Sequence, residues 1–250
     1  MITLKSEREI QRMKESANIL KKTFLELKNF VRSGLTTREV DKKAEETIRK
    51  LGGEPAFLGY RGFTGTICAS VNEEVVHGIP SERVLNEGDI FSLDMGVKYK
   101  GYYSDAARTW PIGKISEDAE KLIQVTRDSV YAGIQAITKN AKLGDLCYAI
   151  QQHIEPHNYG IVRDFVGHGI GTELHEDPQV PNYGRAGTGI VLEEGLVIAI
   201  EPMVNLGSED VLILDDGWTV VTEDGKLSSH HEETVAITKN GPEVLTSFEG

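Results

Sequence analysis

The chain contains 250 residues, 39% of them hydrophobic and 26% charged, and its net charge at pH 7 is −12. This length and composition allow a sizeable buried core, whereas the acidic charge argues against a general binder of nucleic acid or anionic membranes. The two cysteines, Cys68 and Cys147, stand apart, so neither a disulfide framework nor a zinc ribbon is expected. Because no apolar run reaches about 18 residues and no leader precedes Ser6, we expect a cytoplasmic protein with no membrane contact.

The first predicted elements are two helices. Ser6 and Glu9 form a capping-box signature, after which apolar residues recur at spacings of three and four until Gly34. A second helix begins at Thr36 or Thr37. We expect both helices to bury one face against a sheet.

A hairpin is predicted over Ile90–Thr109, after an aromatic loop and a short strand at 66–71. If its turn is centred between Tyr99 and Lys100, Asp94 faces Asp105 across the two strands. Two opposed buried carboxylates repel each other, so they require a cation or a shared proton. The alternative is a surface hairpin whose aspartates point into water.

The second half of the chain contains further helices and strands in a similar order. Helices are predicted over Asp118–Thr138 and Leu143–Ile154. Strands are predicted over Ile161–Val166, Val191–Met203, Val211–Leu214, Trp218–Val221 and His230–Thr238. The segment EGDIFSLDMG recurs 107 positions later as EGLVIAIEPM, which matches Asp94 with Glu201. We therefore predict a single domain over 1–250 with similar halves at about 6–113 and 114–242.

The repeat brings further acidic residues to the predicted centre of the molecule. Glu201 directly follows an apolar strand. Glu232 occupies the position in the second half that corresponds to Asp105 in the first half. His168, between glycines in GHGIG, adds an imidazole, although a lone histidine of this kind is more often a core or loop residue. Four carboxylates and a histidine suit two divalent ions, which predicts metal-assisted hydrolysis. A carboxylate would then transfer the proton.

Other histidines have less specific surroundings. His77 in HGIP and His175 in ELHEDP could polarise a substrate carbonyl or hold a peptide N–H, and either could equally be a loop residue. The remaining ones are given no role: His153, His157, His230 and His231.

Five motifs in this order resemble the methionine aminopeptidases of type I, the bacterial form: NEEVVHGIP, LDMGVKYKGYYSDAART, GHGIGTELHEDP, AIEPM and HHEETVAIT. The resemblance covers nearly the whole chain from about Ser6. It implies the α+β pita-bread fold, in which two pseudo-symmetric halves form a central curved antiparallel sheet covered by helices. It also implies removal of the initiator methionine from nascent proteins when the second residue is small.

The resemblance assigns the metal ligands and the catalytic groups. Asp94 would chelate one metal, His168 and Glu201 the other, and Asp105 and Glu232 would bridge both. Glu201 would carry the proton, while His77 and His175 would position the substrate and stabilise the tetrahedral intermediate. The nucleophile would be a water or hydroxide between the metals, and the free α-amine of the substrate would bind a metal.

The family's methionine pocket, again by resemblance, matches Tyr60, Phe63, Cys68, His77, Leu174 and Trp218, with His175 alongside. A flexible thioether suits an aromatic slot, although ordinary core packing also explains these aromatic residues. Phe63 and Leu174 stand where many relatives have Tyr and Phe, and Cys68 could be a structural thiol. Relatives also have a monovalent-ion site, which would lie near Asn72 and Ser228.

Several properties stay open at the level of sequence. Oxygen-rich ligation with one imidazole admits Mn²⁺, Fe²⁺, Co²⁺ or Zn²⁺. An X-Pro peptidase shares the fold, but such relatives normally carry a large additional N-terminal domain. A non-catalytic relative that binds protein or RNA, or a storage or structural metal site, is less favoured, since all five ligands are present beside two histidines and an aromatic pocket. We expect a monomer that contacts the ribosome transiently and binds no specific nucleic acid.

Overall fold

The protein is represented by a computed structural model that describes residues 2–248. The domain predicted over 1–250 also includes Met1, Glu249 and Gly250, which lie outside the described residues. The helices are α1 (Glu7–Phe30), α2 (Thr37–Lys50), α3 (Glu117–Gln135) and α4 (Leu143–Ile154). All four were predicted, and the bounds of α4 agree with the prediction. The capping box of Ser6 and Glu9 begins α1, and Thr36 caps α2 in the same way.

The strands of the first half are β1 (Glu54–Pro55), β2 (Cys68–Val71), β3 (Glu74–Val76), β4 (Ile90–Tyr99) and β5 (Tyr102–Pro111). Those of the second half are β6 (Gly160–Ile161), β7 (Gly167–Gly169), β8 (Glu176–Val180), β9 (Val197–Ile200), β10 (Met203–Asn205), β11 (Val211–Ile213), β12 (Val220–Thr222), β13 (Ser228–His230), β14 (Glu233–Thr238) and β15 (Gly241–Val244).

Four antiparallel sheets are formed from these strands. In the first half, β4 pairs with β1, β2 and β5, and in the second half the order is β15-β14-β9-β7-β8. Two smaller sheets have the orders β13-β10-β6 and β11-β12-β3. The last of these combines a strand of the first half with two of the second, so the halves are joined beside the candidate site.

Each larger sheet is covered by its own pair of helices, which gives an α+β architecture. One apolar core joins α1 and α2 to β2 and β4, and another joins α3 and α4 to β9 and β14. The residues matched by the repeat are completely buried in both cores: Val40, Ala44 and Ile48 in α2, and Leu146, Ile150 and Ile154 in α4. Among residues 2–248, no helix is both long enough and apolar enough to cross a membrane.

Three predicted strands are interrupted in the structure. The prediction over Ile161–Val166 was wrong, because β6 joins β10 whereas β7 joins β8 and β9. The stretch Val191–Met203 becomes a strand only at β9 and breaks again before β10. The stretch His230–Thr238 is likewise divided into β13 and β14. At the last two breaks the chain passes from one sheet to another, and these breaks hold Glu201 and Glu232.

The hairpin register also differs from the prediction. Asp94 pairs with Ala107, and Asp105 pairs with Gly96, so the two aspartates are diagonal neighbours rather than directly opposed. The turn is centred between Lys100 and Gly101, whose φ angles of 50° and 83° are those of a type I′ turn. Because this register differs from the predicted one by two residues, both carboxylates still lie on the same face.

Candidate active site

The predicted site residues all line one cavity of about 210 Å³. These are Tyr60, Phe63, Cys68, His77, Asp94, Asp105, His168, Leu174, His175, Glu201, Trp218 and Glu232. The cavity lies where β4 and β5 of the first half meet the chain breaks of the second. The apolar core strands on either side hold the polar groups in place.

Two of the acids lie in chain breaks that the sequence explains. Glu201 ends the buried strand β9, and Pro202 follows it without an N–H for the ladder. Glu232 precedes β14, and its N–H donates to the Ala107 carbonyl at 3.0 Å. The ladder is therefore interrupted at both acids, and their side chains point into the cavity.

His168 is oriented by its own backbone. Its Nδ1–H donates to the Gly169 carbonyl at 2.9 Å, which leaves Nε2 as the ligating nitrogen. Nε2 lies 3.5 Å from Glu201 Oε1 and 3.9 Å from Asp105 Oδ2. The flanking glycines are required, since a Cβ at Gly167 would lie 2.3 Å from the Ala199 carbonyl oxygen.

The acidic cluster fits divalent metal ions. One ligand atom each of Asp105, His168 and Glu232 lies within 4.8 Å of the other two. Asp94 Oδ1, Asp105 Oδ1 and Glu232 Oε1 are buried without a hydrogen-bond partner among residues 2–248. Buried carboxylate oxygens without partners are costly, and hard oxygen donors with one imidazole are a suitable ligand set for divalent cations.

The electrostatics of the cluster show how much it depends on a cation. Burial raises the pKa of Asp94 to about 7. Burial also raises the pKa values of Asp105, Glu201 and Glu232 well above their usual range, and the neighbouring carboxylates raise them further. Burial lowers the pKa of His168 to about 4, so the imidazole is neutral and able to ligate at pH 7.

The adjacent acids Glu232 and Glu233 have different surroundings. Glu232, the acid that the resemblance assigns as a metal ligand, lines the cavity, whereas Glu233 is bonded to Arg108 at 2.6 Å on the opposite side of the strand. Although burial opposes ionisation, hydrogen bonds and the charges of His231 and Arg108 lower the pKa of Glu233 to about 2. The Arg108 guanidinium is therefore bonded to Glu233 and to no carboxylate that lines the cavity.

Two further predicted histidines face the cluster. His175 Nδ1 is 2.8 Å from the Tyr60 hydroxyl, and its ring centre is 4.2 Å from that of His168. His77 has a left-handed backbone with a φ of 60°, and its ring lies edge-on to Trp218 at 6.2 Å. Burial lowers the pKa of both, to about 3 for His175, so both are neutral at pH 7.

An apolar slot adjoins the polar groups. Phe63 and Trp218 meet edge-to-face with ring centres 5.1 Å apart, and Leu174 is 1% exposed. Cys68 faces Asp94 in the ladder, and burial raises the pKa of its thiol well above the usual range. The thiol is therefore neutral, and the slot offers aromatic and sulfur contacts to an apolar side chain.

Sequence reasoning gave no role to one histidine of the cavity. His230 is 2% exposed, and its Nε2 lies 3.8 Å from Glu201 Oε2. Alternation along an extended chain places it on the same side as Glu232, two residues later, so the signal was present. The cavity also includes residues to which the sequence analysis gave no role: Phe57, Arg61, Val76, Phe165, Val166 and Met203.

The segments expected to hold a monovalent ion are also adjacent. The Ser228 N–H donates to the Asn72 carbonyl at 2.8 Å, and Asn72 has a φ of 58°. This contact joins β13 to the turn before β3. The ion site itself stays a prediction.

Comparison with known proteins places this site in a family. The model of metallopeptidase family M24 matches residues 11–239. The chain therefore belongs to metallopeptidase family M24.

Methionine aminopeptidases are among the most similar relatives. That of Clostridium perfringens is 54% identical over 246 residues, covering 98% of this chain and 99% of the relative. Methionine aminopeptidase 1 of Bacillus subtilis is 50% identical over the same length, with the same coverage. These full-length similarities confirm the resemblance to bacterial methionine aminopeptidases.

Solved structures confirm the pita-bread fold. The methionine aminopeptidase of Thermotoga maritima superposes with a TM-score of 0.97 at 44% identity, covering 99% of this chain and all of that one. The prolidase of Pyrococcus furiosus has a TM-score of 0.79 at 26% identity, with 99% of this chain covering 66% of the prolidase. The fold is thus shared with X-Pro peptidases, while identity is higher to the methionine aminopeptidases.

Proposed function

We propose that this protein is a methionine aminopeptidase that removes the initiator methionine from nascent polypeptides when the second residue is small. One observation carries the proposal: a single cavity holds a buried donor set for divalent metal, two neutral histidines and an apolar aromatic slot. Metal chemistry without the slot would suit many hydrolases. The slot beside the metal ligands supplies the reason for an apolar, unbranched N-terminal residue.

The proposed metal site takes two divalent ions. Asp94, Asp105, His168, Glu201 and Glu232 would hold them. When bound, such ions supply an activated water and polarise the scissile carbonyl. Two dications would balance the charges of four buried carboxylates, whose raised pKa values show that burial disfavours their ionised forms. Cobalt, manganese, iron and zinc all suit this ligand set.

Three residues of the chain carry the proposed chemistry. Glu201 is suited to carry a proton, because its side chain is 15% exposed and faces the cavity beside His168. His175 is neutral, and a Tyr60 hydroxyl that donates to its Nδ1 leaves Nε2–H free to donate to a developing oxyanion. His77, which lines the cavity against Trp218, positions the substrate backbone.

The proposed setting follows from the substrate. Nascent chains are available in the cytoplasm, so we place the protein there as a monomer that contacts the ribosome transiently and no membrane. Sedimentation of the purified protein tests its oligomeric state, and co-sedimentation with ribosomes tests the contact.

The function is tested by release of the N-terminal residue from Met-Ala-Ser and from Ala-Pro-Ala. Metal-stripped protein is assayed with and without Mn²⁺ or Co²⁺. We expect metal-dependent release of methionine from the first peptide alone. Cleavage of the second peptide instead would indicate an X-Pro peptidase of the same fold. Inactivity on both peptides, with metal shown to be bound, would indicate a non-catalytic relative.

A further inference from the structure

Two adjacent glutamates point to opposite sides of the chain, as successive side chains do in extended backbone. Glu232 lines the cavity, whereas Glu233 is completely buried on the other side. Glu233 accepts hydrogen bonds from the Arg108 guanidinium at 2.6 Å and the Tyr131 hydroxyl at 3.0 Å, and another from the Thr246 hydroxyl. Neither Arg108 nor Glu233 belongs to the proposed metal site.

Arg108 connects this buried ion pair to the backbone of the metal site. Its Nη1 donates to the Glu232 carbonyl at 2.6 Å and to the Ala107 carbonyl at 2.9 Å. The Ala107 carbonyl also accepts the Glu232 N–H, and Ala107 faces Asp94 across the hairpin. One guanidinium therefore bonds the backbone on both sides of the junction between β5 and β14.

The other side-chain links across this junction come from hydroxyl groups, such as that of Thr109, which donates to the His230 carbonyl and accepts from the His230 N–H, both at 2.9 Å. Within residues 2–248, no ladder register joins β5 to β14, although Asp105 lies on the first and Glu232 immediately precedes the second. The Thr234 hydroxyl donates to the Asp105 carbonyl at 2.7 Å and lies 3.1 Å from the Asp105 nitrogen. A planar guanidinium with several fixed donors adds rigidity that a single hydroxyl does not.

Burial removes most of the hydration of the Arg108 charge, since the residue is 2% exposed. The ring centres of Phe24 and Phe248, 5.8 and 4.8 Å from its guanidinium carbon, offset part of this cost by cation–π attraction. A buried ion pair is seldom more stabilising than an apolar pair of the same size. Its value here lies in the geometry that it imposes on the backbone of Ala107 and Glu232.

We propose that the buried Arg108–Glu233 ion pair positions the Glu232 and Asp105 carboxylates for metal binding and so sets the metal affinity and ligand geometry. Both are positioning residues, since neither lines the cavity. The inference rests on the metal ligands of the proposed function. It concerns metal binding, however, and can be tested without any peptide.

The test measures Mn²⁺ affinity by calorimetry and the absorption spectrum of bound Co²⁺, which reports ligand geometry. Two variants are compared. The double variant Arg108→Met/Glu233→Gln replaces the ion pair by a neutral pair, and the single variant Arg108→Lys keeps the charge but loses the planar donors. Loss of groups that orient ligands typically weakens metal binding roughly 10- to 100-fold. We expect a loss of this size in both variants, with a changed Co²⁺ spectrum.

Ile150→Ala is the matched control, because Ile150 is completely buried in the core of α4 and lines no part of the site. It should lower the melting temperature without changing the Mn²⁺ affinity or the Co²⁺ spectrum. Wild-type affinity and spectrum in folded Arg108→Lys, or in the folded neutral pair, would overturn the proposal. If the neutral pair does not fold, the result for Arg108→Lys alone tests the proposal. A protein that binds metal but releases no methionine would refute only the proposed function.

Discussion

Glu201 illustrates how a single residue obtains its chemical properties from the chain around it. It follows four buried apolar residues of β9, and the proline after it ends the ladder. The carboxylate is therefore held at the end of a rigid strand, 3.5 and 3.8 Å from the Nε2 atoms of His168 and His230. Burial and the charge of Asp94 raise its pKa well above the usual range.

Replacement of Glu201 by Gln should lower kcat about 100- to 10,000-fold, because the side chain keeps its size but can no longer carry the proton. Initial rates of methionine release from Met-Ala-Ser measure this effect, with circular dichroism to show that the fold is intact. Glu194→Gln is the control, since this exposed glutamate precedes the same strand. Retention of most activity in Glu201→Gln would remove Glu201 from its proposed role.

His77 and His175 should differ from the ligands in what their loss changes. His175→Ala is expected to lower kcat about 100-fold, as loss of one oxyanion donor does. His77→Ala is expected to lower kcat by about the same factor, because a misplaced substrate reacts more slowly. Neither change should alter the metal affinity. Tyr60→Phe should have a smaller effect of the same kind as His175→Ala, because it removes the hydroxyl at 2.8 Å from His175.

Steady-state kinetics and Mn²⁺ calorimetry of the same preparations separate the two effects. His153→Ala, on α4 and outside the cavity, serves as the control. If bound metal falls in parallel with kcat, the two histidines are ligands and the proposed roles are wrong.

At the level of elements, the β4–β5 hairpin shows how a turn selects a register. The sequence indicated both strands and the side on which their carboxylates lie, because alternation is a local property. It did not indicate which of the turn residues would take positive φ. Lys100 and Gly101 do so, and this displaces the pairing by two residues from the prediction.

Gly101→Ala should destabilise the protein by about 1 kcal/mol, because alanine is strained at a φ of 83° although its methyl group would meet no neighbour among residues 2–248. Urea unfolding measures the change. Lys100→Asn is the control in the same turn, since asparagine tolerates positive φ and the exposed Lys100–Glu15 pair contributes little. Equal loss of stability in both variants would contradict the argument from φ.

The helices were predicted more completely than the strands. Their caps and apolar spacings lie within about 30 residues of one another, and α1 begins and α4 ends as the sequence indicates. The short polar strand β8 and the splits around Glu201 and Glu232 were missed. Those features depend on which distant segment offers a ladder partner, as when β7 joins β9 but β6 joins β10.

At the scale of the whole molecule, the candidate site is a cluster of buried ionisable groups that makes the stability of the fold depend on pH. Burial raises the pKa of Asp94 to about 7 and raises the pKa values of Asp105, Glu201 and Glu232 well above their usual range. Buried neutral histidines have the opposite shift, to about 4 for His168 and about 3 for His230. Below pH ~6.5, the ordinary pKa of histidine, the buried carboxyls and the buried histidines have opposing effects on the pH dependence of stability.

Above pH ~6.5 the acids dominate, because the buried histidines are neutral in the folded state and mostly neutral in the unfolded state. A carboxyl whose pKa is raised on folding binds more protons in the folded state, so its stabilising contribution is lost as pH rises through the folded pKa. Metal-stripped protein should therefore melt at lower temperature as pH rises from about 6.5 through 7 and above. Saturating Mn²⁺, at about 100 times its Kd, should restore roughly 2.7 kcal/mol.

Thermal melts of stripped and loaded protein across this range provide the measurement. Asp94→Asn, which removes one titrating group, should flatten the dependence in the stripped protein. A stripped protein whose melting temperature is independent of pH above 6.5 would contradict the assignment of raised pKa values to the buried acids.

The sequence by itself determined the residue types of the site, the helices, the repeat and the family, because these depend on spacing along one segment or on motifs read in order. Only the tertiary structure decided the register of Asp94 and Asp105 and the pairing of Glu233 with Arg108. Each of those depends on which residues more than 100 positions away become neighbours, or on which turn residues accept positive φ. Local periodicity contains neither kind of information, since both are settled by competition among backbone hydrogen-bond partners during packing.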